Sequence, residues 1–362
     1  MKLSVALTAL LAASSAVDAS PINFLSKKKA SKKPSTTTTP IIANASNFTS
    51  FFNISNFTGF GNSSIFSNST RSNTTTELHE TIQVYVTGGH VSLENSTTYK
   101  SNTTTLLNQT SALNITQLYD VATAVNSTLG SNSTKGTIIV TSEKNLEALG
   151  FFAAVVFNSS APVVVATDAE QASLVANSTG AANRGALVVD TNGVIYSGVF
   201  SPSLDQSTAS IPVGAITDEK TVAWYFEPSL PSFISQDSLL RTTYANFTNT
   251  TPLEYSIVTP LVPIVYDGGY SEDLINSVAS TISGLVVISS GATTNSTTSQ
   301  LASQSIPVVY TETSPLDIVT AGDVPEGAIA GGCLTPVKAQ VFLGIAIAND
   351  VSNTTSIANL LK

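Results

Sequence analysis

Short runs of branched apolar residues alternate with helical patterns from about residue 80 to residue 362. Apolar runs that polar residues hardly interrupt are typical of strands that a parallel sheet buries on both faces. The predicted strands are 82–86, 137–140, 162–166, 186–189, 261–266, 284–289 and 306–310, and the predicted helices are 114–125, 145–156, 271–282 and 336–348. This alternation predicts an α/β fold of two successive αβα domains with mainly parallel sheets.

The predicted α/β region divides near a proline-rich stretch. The alternating pattern lapses around residues 228–260, where Pro231 and Pro252 interrupt the chain. We therefore predict two domains and the segment that joins them. The N-terminal domain is expected at 80–230, the interdomain connection at 231–258 and the C-terminal domain at 259–362.

The first 19 residues have the pattern of a signal peptide. Lys2 precedes an apolar run at 3–13, and the small residues Val17 and Ala19 favour cleavage before Ser20. This run is too short to span a bilayer, and residues 353–362 are too polar for a GPI signal. We therefore expect a secreted, extracellular protein with no membrane anchor.

Residues 20–79 form a low-complexity segment rich in Ser, Thr and Asn, here called the tail. Such a composition buries too little apolar surface to offset its conformational entropy, so the tail is predicted to be disordered. Its lysine cluster at 27–33 has three readings: simple solvation, a processing site for a Golgi protease, or an electrostatic contact with acidic wall polymers.

Nineteen Asn-x-Ser/Thr acceptor sites follow the leader. They are Asn44, Asn47, Asn53, Asn56, Asn62, Asn68, Asn73, Asn95, Asn102, Asn108, Asn114, Asn126, Asn132, Asn158, Asn177, Asn246, Asn249, Asn295 and Asn353. N-glycans are bulky and confined to the surface of secreted proteins. The number of sites behind a leader therefore predicts a heavily N-glycosylated protein.

The charge and the cysteine content of the chain further limit the classes of protein to which it can belong. From Glu77 onward the chain has 8 Lys and Arg against 23 Asp and Glu, and this acidic balance argues against nucleic-acid binding. Its single cysteine, Cys333, excludes an intramolecular disulfide framework, so stability must come from a hydrophobic core. The apolar run around Cys333 predicts that this thiol is buried.

A glycine turn, Thr87-Gly88-Gly89-His90, follows the first predicted strand. Ligands bind at this carboxyl edge in open α/β sheets. The turn resembles the Thr-Gly-Gly-Thr-Ile-Ala opening of type II L-asparaginases. Segments 145–152, 182–189, 261–274 and 334–340 resemble further motifs of that family in the same order. The resemblance implies an asparaginase-like scaffold from about residue 80 to residue 361.

The resemblance does not extend to the catalytic residues. In that family the Thr after the paired glycines is the nucleophile, and a second Thr, an Asp and a Lys assist it. Here His90 stands at the first position, and Glu143 and Lys144 align with the second Thr and the Asp. The segment between Asp168 and Ala181 is shortened and has no Lys. We therefore expect a pseudoenzyme with no catalytic residues, no metal and no cofactor.

The remaining pocket is a candidate binding site for an amino acid or another small polar ligand. Its candidate residues, here called the relic site, are Thr87, Gly88, Gly89, His90, Glu143, Lys144 and Asp267. The turn can offer backbone N–H groups to an anion or a carbonyl oxygen. His90 could also form an acid–base pair with Glu143 or Asp267, since histidine titrates near neutral pH.

A narrower resemblance is to fungal secreted cell-wall-related glycoproteins, yeast proteins produced on nutrient depletion, stress or sporulation. The leader, the sequon-rich tail, the Val-Thr-Gly-Gly start at 86–89 and the stretch at 262–270 carry it. This resemblance implies a non-enzymatic role in the cell wall, with wall polysaccharide or wall proteins as partners. It leaves homo-oligomerisation open.

Overall fold

A computed structural model describes residues 81–91, 100–129, 133–203, 210–241, 260–289, 301, 305–314 and 316–362. The leader, the tail and its lysine cluster lie outside these residues, as do residues 242–258 of the predicted connection. Twelve of the nineteen acceptor sites also lie outside: Asn44, Asn47, Asn53, Asn56, Asn62, Asn68, Asn73, Asn95, Asn132, Asn246, Asn249 and Asn295. The described residues all belong to one compact unit.

The first sheet has eight strands in the order β2-β1-β3-β4-β5-β6-β7-β8. Their bounds are β1 Thr81–Val86, β2 Lys100–Thr105, β3 Thr134–Val140, β4 Val163–Ala166, β5 Ala186–Val189, β6 Val194–Ser197, β7 Pro212–Ile216 and β8 Val222–Trp224. Strands β1 to β5 pair in parallel, whereas β6, β7 and β8 continue the sheet antiparallel.

The second sheet has four parallel strands in the order β12-β11-β10-β9. Their bounds are β9 Ile264–Tyr266, β10 Leu285–Ile288, β11 Val308–Thr311 and β12 Ile329–Ala330. The described helices are α1 Ile115–Leu129, α2 Glu143–Val156, α3 Ala169–Asn177, α4 Gly269–Val278, α5 Pro336–Ala348 and α6 Thr354–Leu360. Helices alternate with strands from β2 to β5 and from β9 to β10, as the αβα pattern predicts, whereas β6, β7 and β8 follow β5 with no α-helix between them.

Helices cover both faces of each sheet. One face of the first sheet packs against α1 and α2, and its other face packs against α3. One face of the second sheet packs against α5, and its other face packs against α4. Helices α2 and α5 contact each other, so one hydrophobic cluster contains residues from both sheets.

Aromatic rings fill the contact between α2 and α5. The ring centroid of Phe233 lies 5.6 Å from that of Phe342 on α5 and 5.9 Å from that of Phe151 on α2. Phe233 belongs to a short 3-10 helix, Ser232–Ile234, and is buried. This part of the predicted connection therefore contributes to the core. The domain boundaries at 230 and 258 stay predictions.

Polar groups fix both ends of α2. Near its start, the buried Asn145 side chain accepts a hydrogen bond from the Leu113 amide and donates one to the Ser111 carbonyl. At its end, the half-buried Arg241 guanidinium donates to the carbonyl oxygens of Ala154 and Val155 at 2.7 and 3.0 Å. A cation there also interacts favourably with the negative end of the helix dipole.

The predicted α/β class and the mainly parallel sheets are confirmed. Strands β2, β6, β7, β8 and β12 and helices α3 and α6 were not predicted. The helix predicted at 271–282 begins at Gly269 and ends at Val278, with Gly268 as its N-cap. The prediction that Cys333 is buried is wrong: it is half-buried, because it follows a turn at Gly332 with φ +62°. None of the described helices is both long and apolar enough to cross a membrane.

Candidate functional site

The glycine turn begins with a residue that the fold uses for structure. Thr87 follows β1 and is fully buried. Its amide and its hydroxyl both donate to the Val140 carbonyl oxygen, at 2.8 and 3.1 Å. Thr87 therefore joins the ends of β1 and β3, and its hydroxyl has no solvent-facing surface.

The two glycines are required because backbone packs tightly against them. A Cβ at Gly88 would collide with the carbonyl oxygen of Gln109, and one at Gly89 would collide with that of Thr141. Gly89 also has φ +80°, a conformation that L side chains rarely adopt. The atoms nearest these glycines include several carbonyl oxygens, and carbonyl oxygens repel the anion or oxyanion that an N–H-lined turn would attract.

Residues 106–113 form a covering loop over this turn. The Leu106 and Gln109 amides donate to the carbonyl oxygens of Val86 and Thr87, at 2.9 and 3.1 Å. The far end of the loop is held by Asn145, whose Oδ1 accepts from the Leu113 amide at 2.7 Å. The Asn145 side chain is fully buried, and its Nδ2 also donates to Ser142 Oγ at 2.9 Å. Hydrogen bonds at both ends therefore fix the loop over the glycine turn.

His90 pairs with a residue that our sequence analysis did not propose as its partner. The turn carries the chain past the end of β3, and the His90 amide donates to the Thr167 carbonyl at 3.0 Å. There His90 forms a parallel bridge with Asp168, and its Nδ1 lies 3.5 Å from Asp168 Oδ2. Asp168 also caps α3 by accepting from the Gln171 amide. The His90 side chain is 74% exposed, so the pair faces solvent.

The other relic-site residues lie on different elements. Glu143 and Lys144 are exposed in the first turn of α2, where Glu143 stabilises the positive end of the helix dipole. Glu143 lines a cavity of about 220 Å³ together with Glu147 and Asp190. Asp267 follows β9 in the second sheet, where its amide donates to the Ile288 carbonyl. The sequence alignment therefore groups residues that belong to the edges of two different sheets.

A buried charged cluster joins α2 to α5, and sequence analysis missed it. It consists of Glu147, Ser201, Thr335 and Lys338. The Thr335 hydroxyl donates to Glu147 Oε1, and the Lys338 ammonium donates to the Ser201 carbonyl, each at 2.5 Å. Burial lowers the pKa of Lys338 to about 8, while the Glu147 carboxylate acts in the opposite direction. Lys338 is the one charged residue in α5, and a lone charge in an apolar helix could have revealed the cluster.

The described acceptor asparagines lie at the surface. Six of the seven are exposed and the seventh, Asn177, is half-buried; the exposed ones are Asn102, Asn108, Asn114, Asn126, Asn158 and Asn353. Asn114 and Asn353 cap helices through Oδ1, which leaves Nδ2, the atom that carries an N-glycan, for attachment. In contrast, Asn177 Nδ2 donates to the Ser173 carbonyl, which makes Asn177 the least accessible of the seven.

Across the described part of the chain, no group of three or more His, Cys, Asp or Glu side chains is arranged to hold a metal ion. Charged side chains meet at three places in this part of the chain: the His90–Asp168 pair, the exposed Lys220–Glu170 pair and the buried cluster of Glu147 and Lys338. The His90–Asp168 pair is open to solvent and follows the glycine turn. The buried cluster connects α2 to α5, and its Glu147 also lines the cavity beside Glu143.

The chain is similar to known proteins in fold and in sequence, although no family model matches it. A solved structure of a probable cytoplasmic L-asparaginase from Campylobacter jejuni superposes with a TM-score of 0.60 at 17% identity, covering 78% of this chain and 99% of that one. This likeness shows the asparaginase-like fold that the sequence motifs predict.

Two yeast proteins are similar along the sequence as well. Protein YGP1 of Saccharomyces cerevisiae is 43% identical over 362 residues, which covers 99% of each chain. The sporulation-specific wall maturation protein of the same yeast is 40% identical over 244 residues, covering 63% of this chain and 73% of that protein. With an asparaginase-like fold and this identity over its full length, the chain belongs to the family of yeast YGP1 and the sporulation-specific wall maturation protein.

Proposed function

We propose that the protein is a secreted, heavily N-glycosylated component of the fungal cell wall. Its role would be non-enzymatic, in protection of the wall or spore wall and in adaptation to stress or nutrient limitation. Membership of a family with a sporulation-specific wall maturation protein supports the wall-related role. The leader and the nineteen acceptor sites support secretion and glycosylation.

The covering loop is the observation that carries the non-enzymatic part of the proposal. Hydrogen bonds with Val86, Thr87 and Asn145 hold residues 106–113 against the start of the glycine turn, at the sheet edge where a substrate would bind. The Thr87 hydroxyl is buried and committed to Val140, so it cannot act as a nucleophile. Covalent catalysis requires a nucleophile with a base in hydrogen-bond reach.

The exposure of the acceptor sites supports the glycosylated part. A sequon that arises by chance can lie anywhere in a fold, whereas a glycan requires surface. Six of the seven described acceptor asparagines are exposed, and two of the six cap helices without using the glycan-carrying atom. Wall polysaccharide or other wall proteins are the proposed partners.

The test is an accurate mass of the secreted form before and after peptide-N-glycosidase treatment. We expect an N-terminus at Ser20 or further along the tail, and a mass well above the 37.5 kDa of the full polypeptide that falls on treatment. An N-terminus that lies within the lysine cluster, at residues 27–33, would identify this cluster as a processing site. A secreted form whose mass does not change on treatment would contradict the proposal.

The His90–Asp168 pair favours a second candidate function, binding of a small polar ligand. An exposed imidazole beside a carboxylate at the carboxyl edge of a sheet can contact an amino acid or a related molecule. A ligand that binds the native state alone raises the melting temperature. A thermal-shift screen with amino acids tests this candidate, with His90→Ala as the matched control. Equal shifts in both proteins would exclude binding at His90.

A further inference from the structure

The described strands end in four sheet edges of unequal length. Strand β2 has six residues, β8 and β9 have three each, and β12 has two. An edge strand presents unpaired amide and carbonyl groups that can template the pairing of another chain, and very short edges are a common protection. Of these four edges, β2 alone is long enough to accept a strand of ordinary length.

Strand β2 has one charged residue, Lys100, at its first position. After Lys100 its sequence is Ser101-Asn102-Thr103-Thr104-Thr105, with neither charge nor proline, and all five residues are exposed. Threonine is enriched in strands because its branched side chain suits a pleated surface. In the described part of the chain, β1 is the one strand that pairs with β2.

The acceptor sites single out the same strand. Of the seven described acceptor asparagines, Asn102 is the one that lies within a strand. The others lie in loops or helices: Asn108, Asn114, Asn126, Asn158, Asn177 and Asn353. The one described acceptor site that lies within a strand, Asn102, is therefore on the long edge strand β2.

The position of Asn102 within β2 suits a shielding role. Asn102 pairs with Gln83 of β1 in the middle of the ladder, and Gln83 Nε2 lies 3.4 Å from the Thr104 hydroxyl on the same face. A strand added to the sheet would run about 4.8 Å from β2. A glycan on Asn102 would occupy the space that the side chains of such a strand need.

We propose that an N-glycan on Asn102 shields the open β2 edge and prevents strands of a second molecule from pairing with it. This role rests on the glycosylation proposed above. It assigns one glycan a specific task, which is to keep the sheet from extending between molecules. The other described acceptor asparagines lie outside the strands, so glycans on them would have no such task.

The test compares the full chain, secreted from a glycosylating host, with three variants. Asn102→Gln removes the glycan and leaves a neutral side chain, whereas Asn102→Lys removes it and supplies a charge, another common protection of edges. Asn108→Gln removes a neighbouring glycan outside the strand. Light scattering behind size-exclusion chromatography gives the mass of each species over a concentration series, and thermal unfolding shows that each variant is folded.

We expect the mass of Asn102→Gln to rise with concentration, by about twofold or more relative to wild type, since two edges must pair at least. The Asn108→Gln and Asn102→Lys variants should keep the wild-type behaviour. Wild-type behaviour of Asn102→Gln, or equal association of Asn108→Gln or Asn102→Lys, would overturn the proposal. Peptide mass mapping that finds Asn102 unmodified in the wild type would also overturn the role of this glycan. The proposed function would still be supported in that case if deglycosylation lowered the total mass.

Discussion

The Thr335 hydroxyl donates a hydrogen bond of 2.5 Å to the Glu147 carboxylate, from a residue 188 positions further along the chain. Thr335 directly precedes α5, which packs on the second sheet, and Glu147 lies on α2, which packs on the first. Lys338 follows within the first turn of α5 and brings a buried cation beside this carboxylate. The two helices therefore meet through a polar contact inside an apolar interface.

We expect Lys338→Met to destabilise the protein by about 1–3 kcal/mol at about pH 9.5, where the folded protein holds Lys338 neutral, because the variant leaves the buried Ser201 carbonyl without its donor. Lys144→Met, at an exposed lysine on α2, serves as the control and should change stability by less than about 0.5 kcal/mol. Urea unfolding measures both variants, and a Lys338→Met protein as stable as wild type would contradict the role of the cluster.

Stability should rise with pH above neutrality. Burial lowers the pKa of Lys338 from 10.5 to about 8, so between these values the unfolded chain binds more protons than the folded one. Folding therefore becomes more favourable as pH rises through this window, by about 3 kcal/mol from Lys338 alone. Burial raises the pKa values of Tyr119 and Tyr196, which reverses the trend above about pH 10.

Urea unfolding at about pH 7.5 and about pH 9.5 checks this dependence. The wild type should gain stability between the two values, whereas Lys338→Met should not. A wild type whose stability does not change over this interval would show that Lys338 keeps its proton as readily when folded as when unfolded.

We expect Asn145 to stabilise the fold, although it is a polar residue in an apolar helix. Asn145→Ala leaves the buried Leu113 amide without its acceptor, which costs about 1–3 kcal/mol, whereas the carbonyl of the exposed Ser111 can bind water instead. The covering loop should also exchange its amide hydrogens faster. Asn192→Ala, at an exposed turn, is the control. Unchanged exchange at residues 106–113 in Asn145→Ala would show that other contacts hold the loop.

The sequence correctly predicted the strands and helices in which apolar residues recur at a regular spacing. Strand β5 and helix α5 have the bounds that the sequence predicts, since β5 is a continuous apolar run and Pro336 marks the first turn of α5. Strand β2 was missed because its residues are polar on both faces, so it shows no alternation. Strands β6, β7 and β8 have four, five and three residues, too few to show a clear alternation.

The site was harder to predict because its contacts are distant in sequence. The pairing of His90 with Asp168 depends on the turn that carries the chain past the end of β3, and no local pattern encodes this path. The contact of Thr335 with Glu147 depends on how α5 packs on α2. The resemblance to asparaginases predicted the scaffold correctly, whereas an alignment without coordinates could not find these partners.

Removal of the tail should leave a folded protein. Deletion of residues 20–76 removes no residue of the described core, which begins with β1 at Thr81. We expect one cooperative thermal transition, within a few degrees of the full-length protein when both are deglycosylated. Circular dichroism during heating measures it. A deleted form without a cooperative transition would show that the tail is part of the core.

Restoration of single catalytic residues should not restore catalysis. His90→Thr places a hydroxyl after the paired glycines, but a hydroxyl without a nearby base is a weak nucleophile. Adding Glu143→Thr and Lys144→Asp changes two exposed residues of α2, and no lysine is supplied by the segment between Asp168 and Ala181. Catalytic groups that act as a unit fail together, so even the triple variant should stay near background.

Ammonia release from asparagine tests the proposed non-enzymatic scaffold most directly. The purified wild type, His90→Thr and the triple variant are assayed under the same conditions, with an active L-asparaginase as the positive control. The account predicts background rates for all three proteins, because hydrogen bonds hold the covering loop against the start of the turn and the Thr87 hydroxyl is buried. Clear turnover of asparagine by the wild type would contradict the account. If His90→Ala abolished that turnover, catalysis would be assigned to the His90–Asp168 pair.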